Sequence, residues 1–565
     1  MDGEGDFDVV ILGTGLTESI TAAALSKAGF RVAHIDENSY YGGDQASLTL
    51  EELAQWADRR STTEHTTPFL AVQRERFTSI VHSQEIPDHA REYSVSLLPS
   101  LIPSLGPLIS SLIASGVARY GGYRLLERVG VYDPAVGIKS VPSSKEDIFK
   151  AKDMSLVHKR RLMRFLMFAS GEFEDKAEFQ GQADIPFVEF LRTKFSLEQQ
   201  TAETIAYALA FCGVPSDPTQ PALGRLRDTL RSSGRYGTSP FLVGHYGGLG
   251  EIAQGFCRVA AVNGGIYILG RQVQSVIPPE CSESSPTKYT FNLNDFPEPL
   301  TADILISSPD LLPEALRATS FVPSTSASAP SHSVARCVAI IDQPVAFPPA
   351  GIPEPVEEVE PSAETEQSSS NTTQETHVDT SVVVFPPSSL EGGSSDSAAH
   401  AFVTGQGSMS APEGKYIVYI SLPIIDPQGA SAEESLKPYL DALLRLAKRP
   451  SDDASSLNPL FTLFYIQHPF TSTNASSPSS QAQETPTCLV TPPSSVSLNE
   501  ASDSASVAAE SLFFKAIEVL KAKRPDLWKV EEGETSAGSA GDCFQEITTL
   551  WPPLEKDPDE DAEEW

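Results

Sequence analysis

The chain has 565 residues, 40% hydrophobic and 21% charged, enough for a large core, although 44 prolines and long Ser/Thr/Glu tracts keep part of the length out of it. With 41 basic against 75 acidic side chains the formal net charge is −34, which argues against a nucleic-acid partner and for a basic partner surface. Six cysteines, far apart and never as CxxC, supply neither a disulfide framework nor a zinc site and point to a reducing compartment.

The N-terminus carries no basic leader, and its apolar run Val9 to Leu12 is too short for a signal sequence or a membrane span. The C-terminal "PDEDAEEW" has no prenylation signal, so the expectation is a soluble, cytosolic chain with only transient membrane contact. Val9 to Leu12 predicts a strand, "TESITAAALSKAG" a helix with Thr17 as cap and Gly29 as stop, and "RVAHID" a second strand. That is a βαβ opening of the Rossmann type.

From about Lys145 to Leu230 the period becomes helical, in "KEDIFKAKDMSLVHKRRLMRFLMFASGEF", "IPFVEFLRTKF" and "SLEQQTAETIAYALAFCG". Strand-type runs then return in "GGIYILGRQVQSVI", "ADILISS", "RCVAIID", "GKYIVYISLPII" and "NPLFTLFYIQ", before a last amphipathic helix in "AESLFFKAIEVLKAK". The expected fold class is α/β (α+β): a discontinuous multisheet domain from residues 1–144 and 231–565, with a smaller helical domain at 145–230. Residues 346–400 and 470–508, rich in Ser, Pro, Thr and Glu, are expected to be disordered inserts.

The glycine loop sharpens the reading. Gly13 and Gly15 suit the tight turn and close backbone approach of a dinucleotide site, and Asp36 stands where an acid takes ribose hydroxyls. The third glycine is replaced by Glu18, in the first turn of the helix whose N–H groups should receive the pyrophosphate. A carboxylate there interacts with the helix's own positive end, repels a phosphate and adds bulk. A cofactor-free scaffold is therefore favoured over flavin or nicotinamide binding.

No second constellation replaces it. The ten histidines are dispersed, without HExxH or HxxxH, and no GxSxG elbow is present, so neither a catalytic residue nor a metal ligand is assigned. His34 and His245 read as structural residues, and the basic run His158 to Arg164 reads as one solvated helix face.

"DVVILGTGLTESI", "HIDENSYYGGDQAS" and "RYGTSPFLVGHYGGLGEIAQGFCRVAAVNGGIYIL" closely resemble blocks of the superfamily of Rab GDP dissociation inhibitors and Rab escort proteins, in the same order across roughly residues 6 to 310. "SYYGG", "FCR", "LVHKRRLMRFLMF", "LWPPLE" and the acidic inserts are more similar to the escort branch; "GHYGGLGE" departs from the "PLYG" that usually precedes "GLGE". The resemblance implies a flavoprotein-like multisheet domain without flavin, a small helical domain and no catalytic role.

By that resemblance, Tyr41, Glu251 and Arg258, with Ile268 as apolar contributor, would form a platform for Rab GTPases in the GDP form. Ser239, Pro240, Phe241 and Tyr246 would belong to a mobile loop beside it. The helical domain would take the geranylgeranyl group and dock the Rab geranylgeranyltransferase αβ heterodimer, with Phe168 as the aromatic contact. Phe165, Met167 and Phe168 are otherwise expected in the core of that domain. The alternatives are a GDP dissociation inhibitor that recycles prenylated Rab and, more distantly, an FAD-dependent oxidoreductase.

Overall fold

The computed structural model describes residues 5–62, 67–141, 155–279, 288–319, 332–348, 378–427, 429–447, 458–470, 486–528 and 547–552. Its opening is the expected strand Asp6–Leu12, helix Leu16–Lys27 and strand Val32–Asp36. The helix starts at Leu16, directly behind the turn that Gly13 makes at φ +100°, so its N-cap is Gly15 and not Thr17. Its far end closes as expected, with Gly29 at φ +94° just past the C-cap Ala28.

Val32–Asp36 and Leu300–Ser307 flank the first strand in parallel, and Ile266–Leu269 pairs in parallel with Val32–Asp36 at the sheet edge. Tyr289–Leu293 and Val273–Ile277 continue this sheet antiparallel, while Cys488–Val490 pairs with the far end of Leu300–Ser307. The first strand is an unbroken apolar run because both its faces are covered. Val9 and Ile11 belong to the core that includes the helices Leu16–Lys27, Leu249–Val262 and Ala501–Lys523, and Val10 and Leu12 join Ile35, Phe291 and Leu305 opposite.

A second sheet runs Phe77–His82, Phe461–Gln467, Ser333–Ile341, Tyr416–Ile424, Ala399–Thr404, Ser381–Phe385, Arg128–Asp133, Gly137–Ser140 in spatial order. The helix Ala432–Ala447 packs on one of its faces through Leu436, Leu440 and Leu443. Two strands of this sheet correct the sequence reading. Ser381–Phe385 and the first two residues of Ala399–Thr404 fall inside the stretch expected to be disordered, yet both strands are buried throughout. Ser, Pro and Gly between them dilute the composition, but "SVVVF" and "AHAFVT" pair antiparallel and bury together. Likewise 486–508 holds Cys488–Val490 and the start of Ala501–Lys523. Within those predicted inserts, residues 349–377 and 471–485 lie outside the described residues.

The helical lobe comprises Leu156–Ser170, Phe187–Phe195, Gln199–Thr204, a π-helical turn at Ile205–Leu209, and Thr219–Ser232; residues 145–154 lie outside the described set. Its interior is aromatic: the Phe195 ring lies 5.1 Å from Phe165, 5.0 Å from Phe168 and 5.7 Å from Phe190. Freed carbonyls around the π turn are claimed from outside it, Tyr207 O by His400 Nε2 at 2.8 Å and Ala210 O by Arg225 Nε at 2.6 Å. The first of these bonds ties the lobe to the large sheet. Phe165 is fully buried at the centre of the aromatic group, so Phe165→Ala is expected to cost about 3–5 kcal/mol, read as a lower urea midpoint of the lobe's unfolding.

Candidate partner-binding face and the glycine loop beneath it

Several of the polar groups that a dinucleotide would use are engaged by the chain itself. Asp36 Oδ2 accepts from Thr14 N at 2.8 Å and Thr14 Oγ1 at 2.7 Å, and Oδ1 accepts from Asn38 N at 2.8 Å and Asn38 Nδ2 at 3.0 Å. Leu16 N, the first donor at the helix N-terminus, is taken by Gln45 Oε1 at 3.3 Å. The Glu18 carboxylate folds back over Gly15, where a Cβ would stand 2.5 Å from Glu18 Oε2. Glu18 Oε1 accepts from Thr491 Oγ1 at 2.5 Å, and Gln45 Nε2 donates to Ser494 Oγ. The segment after Cys488–Val490 thus lies across the loop.

The space left among Gly13, Glu18, Asp44, Arg76 and Asp310 is about 60 Å³, room for about two water molecules. A flavin dinucleotide does not fit this arrangement: its phosphate end is filled and its ribose acid is bonded elsewhere. Among the described residues there is also no group of three or more His, Cys, Asp or Glu side chains placed to hold a metal ion.

The loop instead supports its neighbour. Gly42 N donates to Thr14 O at 3.0 Å and to Thr14 Oγ1 at 3.1 Å, so the Asp36–Thr14 pair holds the turn that presents Tyr41. Gly42 adopts φ +100° there, and a Cβ would meet the Ala46 backbone. The half-buried Tyr41 ring meets Tyr267 edge-on at 5.8 Å, and Tyr267 packs on His34 at 5.0 Å. His34 is structural as expected: Nε2 bonds to Gly13 O, and burial pushes its pKa down to about 4.

On the helix Leu249–Val262, Glu251, Gln254 and Arg258 share the solvent face at helical spacing. Arg258 lies over the exposed ring of Tyr120, 4.7 Å from its centroid. Glu251, half-buried, lines a small cleft of about 30 Å³ with Tyr120, Tyr123 and His245, and burial raises its pKa. The cleft exists because Gly122 lies against the His245 ring and Gly255 against Val117, where a side chain would collide. The Tyr123 hydroxyl is buried without a hydrogen-bond partner among the described residues, and burial, with Glu251 nearby, pushes its pKa up to about 12.

Four sequence expectations change. Ile268 stands on the opposite sheet face from Tyr267, because neighbouring strand residues alternate; it packs with the core of Ala33 and Ile35 and not with Tyr41. Phe241 is no loop residue: Phe241–Gly244 is a buried strand between Ile102–Pro103 and Tyr123–Leu125, which leaves half-buried Ser239 and Pro240 ahead of it and only Tyr246, at φ +53°, exposed. Phe168 is 6% exposed, inside the aromatic group, and is not a surface contact; the neighbouring Met167, expected in the core, is 67% exposed. Tyr120 and Tyr123 lie in "RYGGYR", whose two glycines between tyrosines are a readable signal, whereas no local pattern points to Tyr267.

The family described as GDP dissociation inhibitor matches residues 1–348, more than half of the sequence. The chain belongs to the GDP dissociation inhibitor family. Its relatives include "Rab proteins geranylgeranyltransferase component A" of Saccharomyces cerevisiae, 29% identical over 436 residues that cover 77% of this chain and 64% of that protein. The Drosophila melanogaster protein of the same name is 33% identical over 326 residues, 54% of this chain and 60% of its own. The chain thus spans under two thirds of the length of these relatives. Among solved structures, a Rab GDI from Plasmodium falciparum superposes with a TM-score of 0.59 at 19% identity, covering 92% of this chain and 98% of that one. An oxidoreductase from Methanosarcina mazei gives 0.51 at 14% identity, covering 91% and 100%. Both likenesses are of fold, the flavoprotein-like architecture expected from the sequence.

In this family member Glu18 also makes a pH signature. Burial pushes its pKa up to about 7 from an ordinary 4.5, against the Thr491 hydrogen bond, with Asp36 and Asp44 adding to the rise. A carboxyl raised in the folded state binds more protons there than in the unfolded chain. Its contribution is therefore complete below about 4.5 and is lost as pH rises to about 7, on the order of 3 kcal/mol in all. Asp503, pushed up to about 7 by burial, acts with the same sign. Glu18→Gln is expected to flatten stability against pH across that window; urea midpoints at a series of pH values measure it, and an unchanged slope refutes it.

Proposed function

We propose that this chain is a Rab escort protein. It binds newly made Rab GTPases in the GDP form, presents their C-terminal cysteines to the Rab geranylgeranyltransferase heterodimer and carries the lipidated product to membranes. It contributes no catalytic residue and no cofactor; nucleophile, metal and lipid pyrophosphate chemistry belong to the transferase. The observation that carries the reading is the grouping of Tyr120, Glu251 and Arg258, with Tyr41 on the turn that the glycine loop holds. It joins one exposed and one half-buried aromatic ring, a planar guanidinium and a half-buried acid beside an unpartnered tyrosine hydroxyl, a composition that reads a mixed protein surface well. The dinucleotide loop beneath it has been converted into its support.

The names of the yeast and fly relatives favour the escort role over that of a recycling inhibitor. The lobe's closely packed phenylalanines offer the apolar environment a twenty-carbon chain needs, on the order of 10 kcal/mol by methylene count. Reconstituted prenylation, with Rab·GDP, labelled geranylgeranyl pyrophosphate and the transferase heterodimer, tests the proposal. Lipid incorporation that depends on this chain supports it. No incorporation together with extraction of prenylated Rab from membranes makes the chain a recycling inhibitor, and released FAD on denaturation makes it an oxidoreductase.

A further inference from the structure

The segment that crosses the glycine loop, residues 491–499, is held as a strap. At one end it continues the strand Cys488–Val490, with Thr491 N donating to Ser307 O at 2.9 Å beside the first sheet. At the other end Leu498 O accepts from Leu101 N at 2.7 Å and from Ser100 Oγ at 3.2 Å. Between them Val496 O accepts at 3.3 Å from Nη2 of the buried Arg336, on the strand Ser333–Ile341 of the second sheet. Pro492 and Pro493 fix φ in the part that crosses the loop. The strap is thus anchored to both sheets and stiff where it passes Gln45.

Gln45 is where the strap grips. Its side chain is 2% exposed and both ends of the amide are used: Oε1 accepts from Leu16 N, and Nε2 donates to Ser494 Oγ. Thr491, equally buried, donates to Glu18, which lies over Gly15; Gly43 packs on the other side of Gly15, where a Cβ would stand 3.6 Å from Gly15 N. Gln45 closes the turn that begins right after Tyr41, its N donating to Gly42 O at 2.8 Å. Gly42 and Gly43 adopt φ +100° and +52°. Two adjacent glycines give a turn the greatest conformational freedom a chain has, so a fixed presentation of Tyr41 needs ties from outside. Thr14 supplies one at Gly42, Arg76 another at Asp44, and Ser494 a third at Gln45.

We propose that Thr491 and Ser494 are positioning residues for partner binding: the strap holds the Gly42–Gln45 turn, and with it Tyr41, in the arrangement the partner meets. The inference rests on the reading of Tyr41 as a contact to Rab·GDP. The ordering cost of a two-glycine turn is met during folding and does not recur when the partner arrives. A plug in the emptied dinucleotide loop would only add stability, whereas a strap bonded to Gln45 also sets affinity.

The test is Ser494→Ala and Thr491→Val, each made in the full chain and again together with Tyr41→Ala, and titrated against Rab·GDP. Hydrogen exchange of the amides of residues 41–46 is followed on the free proteins by mass spectrometry. Each strap variant is expected to weaken binding about fivefold, the worth of one hydrogen bond, and to speed exchange in the turn but not in the helical lobe. Thr491→Ser, which keeps the hydroxyl, is expected to restore both. In the Tyr41→Ala background the strap variants are expected to cost no further affinity, because they act through that side chain. Unchanged affinity, whether or not the urea midpoint falls, makes the strap a plug and overturns the proposal. Equal losses with and without Tyr41, or a loss without faster exchange in the turn, overturn it too. Unaltered affinity in Tyr41→Ala alone counts against Tyr41 as a contact and takes the proposal with it, an outcome told apart from failure of the strap because it appears with Thr491 and Ser494 intact.

Discussion

Replacing Arg76 by alanine is expected to destabilise the protein by about 3–5 kcal/mol, among the largest effects of any single substitution here. Arg76 Nη2 bonds Asp44 Oδ2 at 2.7 Å and Nη1 bonds Asp310 Oδ2, with the guanidinium largely buried and lying 5.1 Å from the Phe77 ring centroid. Burial works against its charge, but Asp310 and Asp44 outweigh burial and hold its pKa above the ordinary arginine value. Asp310, also held by Gln73 Nε2 at 2.8 Å, is pushed up to about 6 by burial despite Arg76. Without the guanidinium, two neighbouring carboxylates face one another in a closed space. Because Asp44 sits in the turn Gly43–Gln45 that follows Tyr41, the variant is also expected to bind its partner more weakly, whereas a fault confined to the cavity would lower the urea midpoint alone.

The second large effect is on recognition. Tyr41→Ala combined with Arg258→Ala is expected to weaken Rab·GDP binding by about 2–4 kcal/mol, a factor of roughly 30 to 1,000. Both side chains present planar groups at the surface, Tyr41 braced by Tyr267 and Arg258 by Tyr120, so little ordering cost remains when a partner arrives. Titration of the purified variant against Rab·GDP, with an unchanged thermal midpoint as control, measures this. Unaltered affinity would remove the face from the proposed function. Ile268→Ala serves as the contrast: it packs behind the sheet and is expected to alter stability more than affinity.

Much of the site was legible in the residues. Glu18 in place of a glycine already implied a loop that repels phosphate, because charge and bulk at the first turn of a helix act locally. Glu251 and Arg258 were named by the family resemblance of their block, and the structure puts them two turns apart on one solvent-facing side of the helix Leu249–Val262. What supports these residues was not legible. Thr491 reaches Glu18 from 473 positions away, and Thr14 links Asp36 to the Tyr41 turn, contacts that no local pattern announces. Phe168 and Met167 are adjacent in sequence yet face opposite ways, and only the direction of the neighbouring helices decides which is core.

The sequence by itself determined the βαβ opening, the run of helices between stretches of strands, and the resemblance that the family match bears out, because periodicity, turn residues and motif blocks are properties of short segments. The tertiary structure alone decided that 381–385 and 399–404 are central strands despite their diluted surroundings, that Ile268 faces away from Tyr41, and that a distant segment closes the dinucleotide loop. Strand pairing and side-chain facing depend on which surfaces meet across hundreds of residues, and that choice is made by burial of the whole core rather than by any stretch within it.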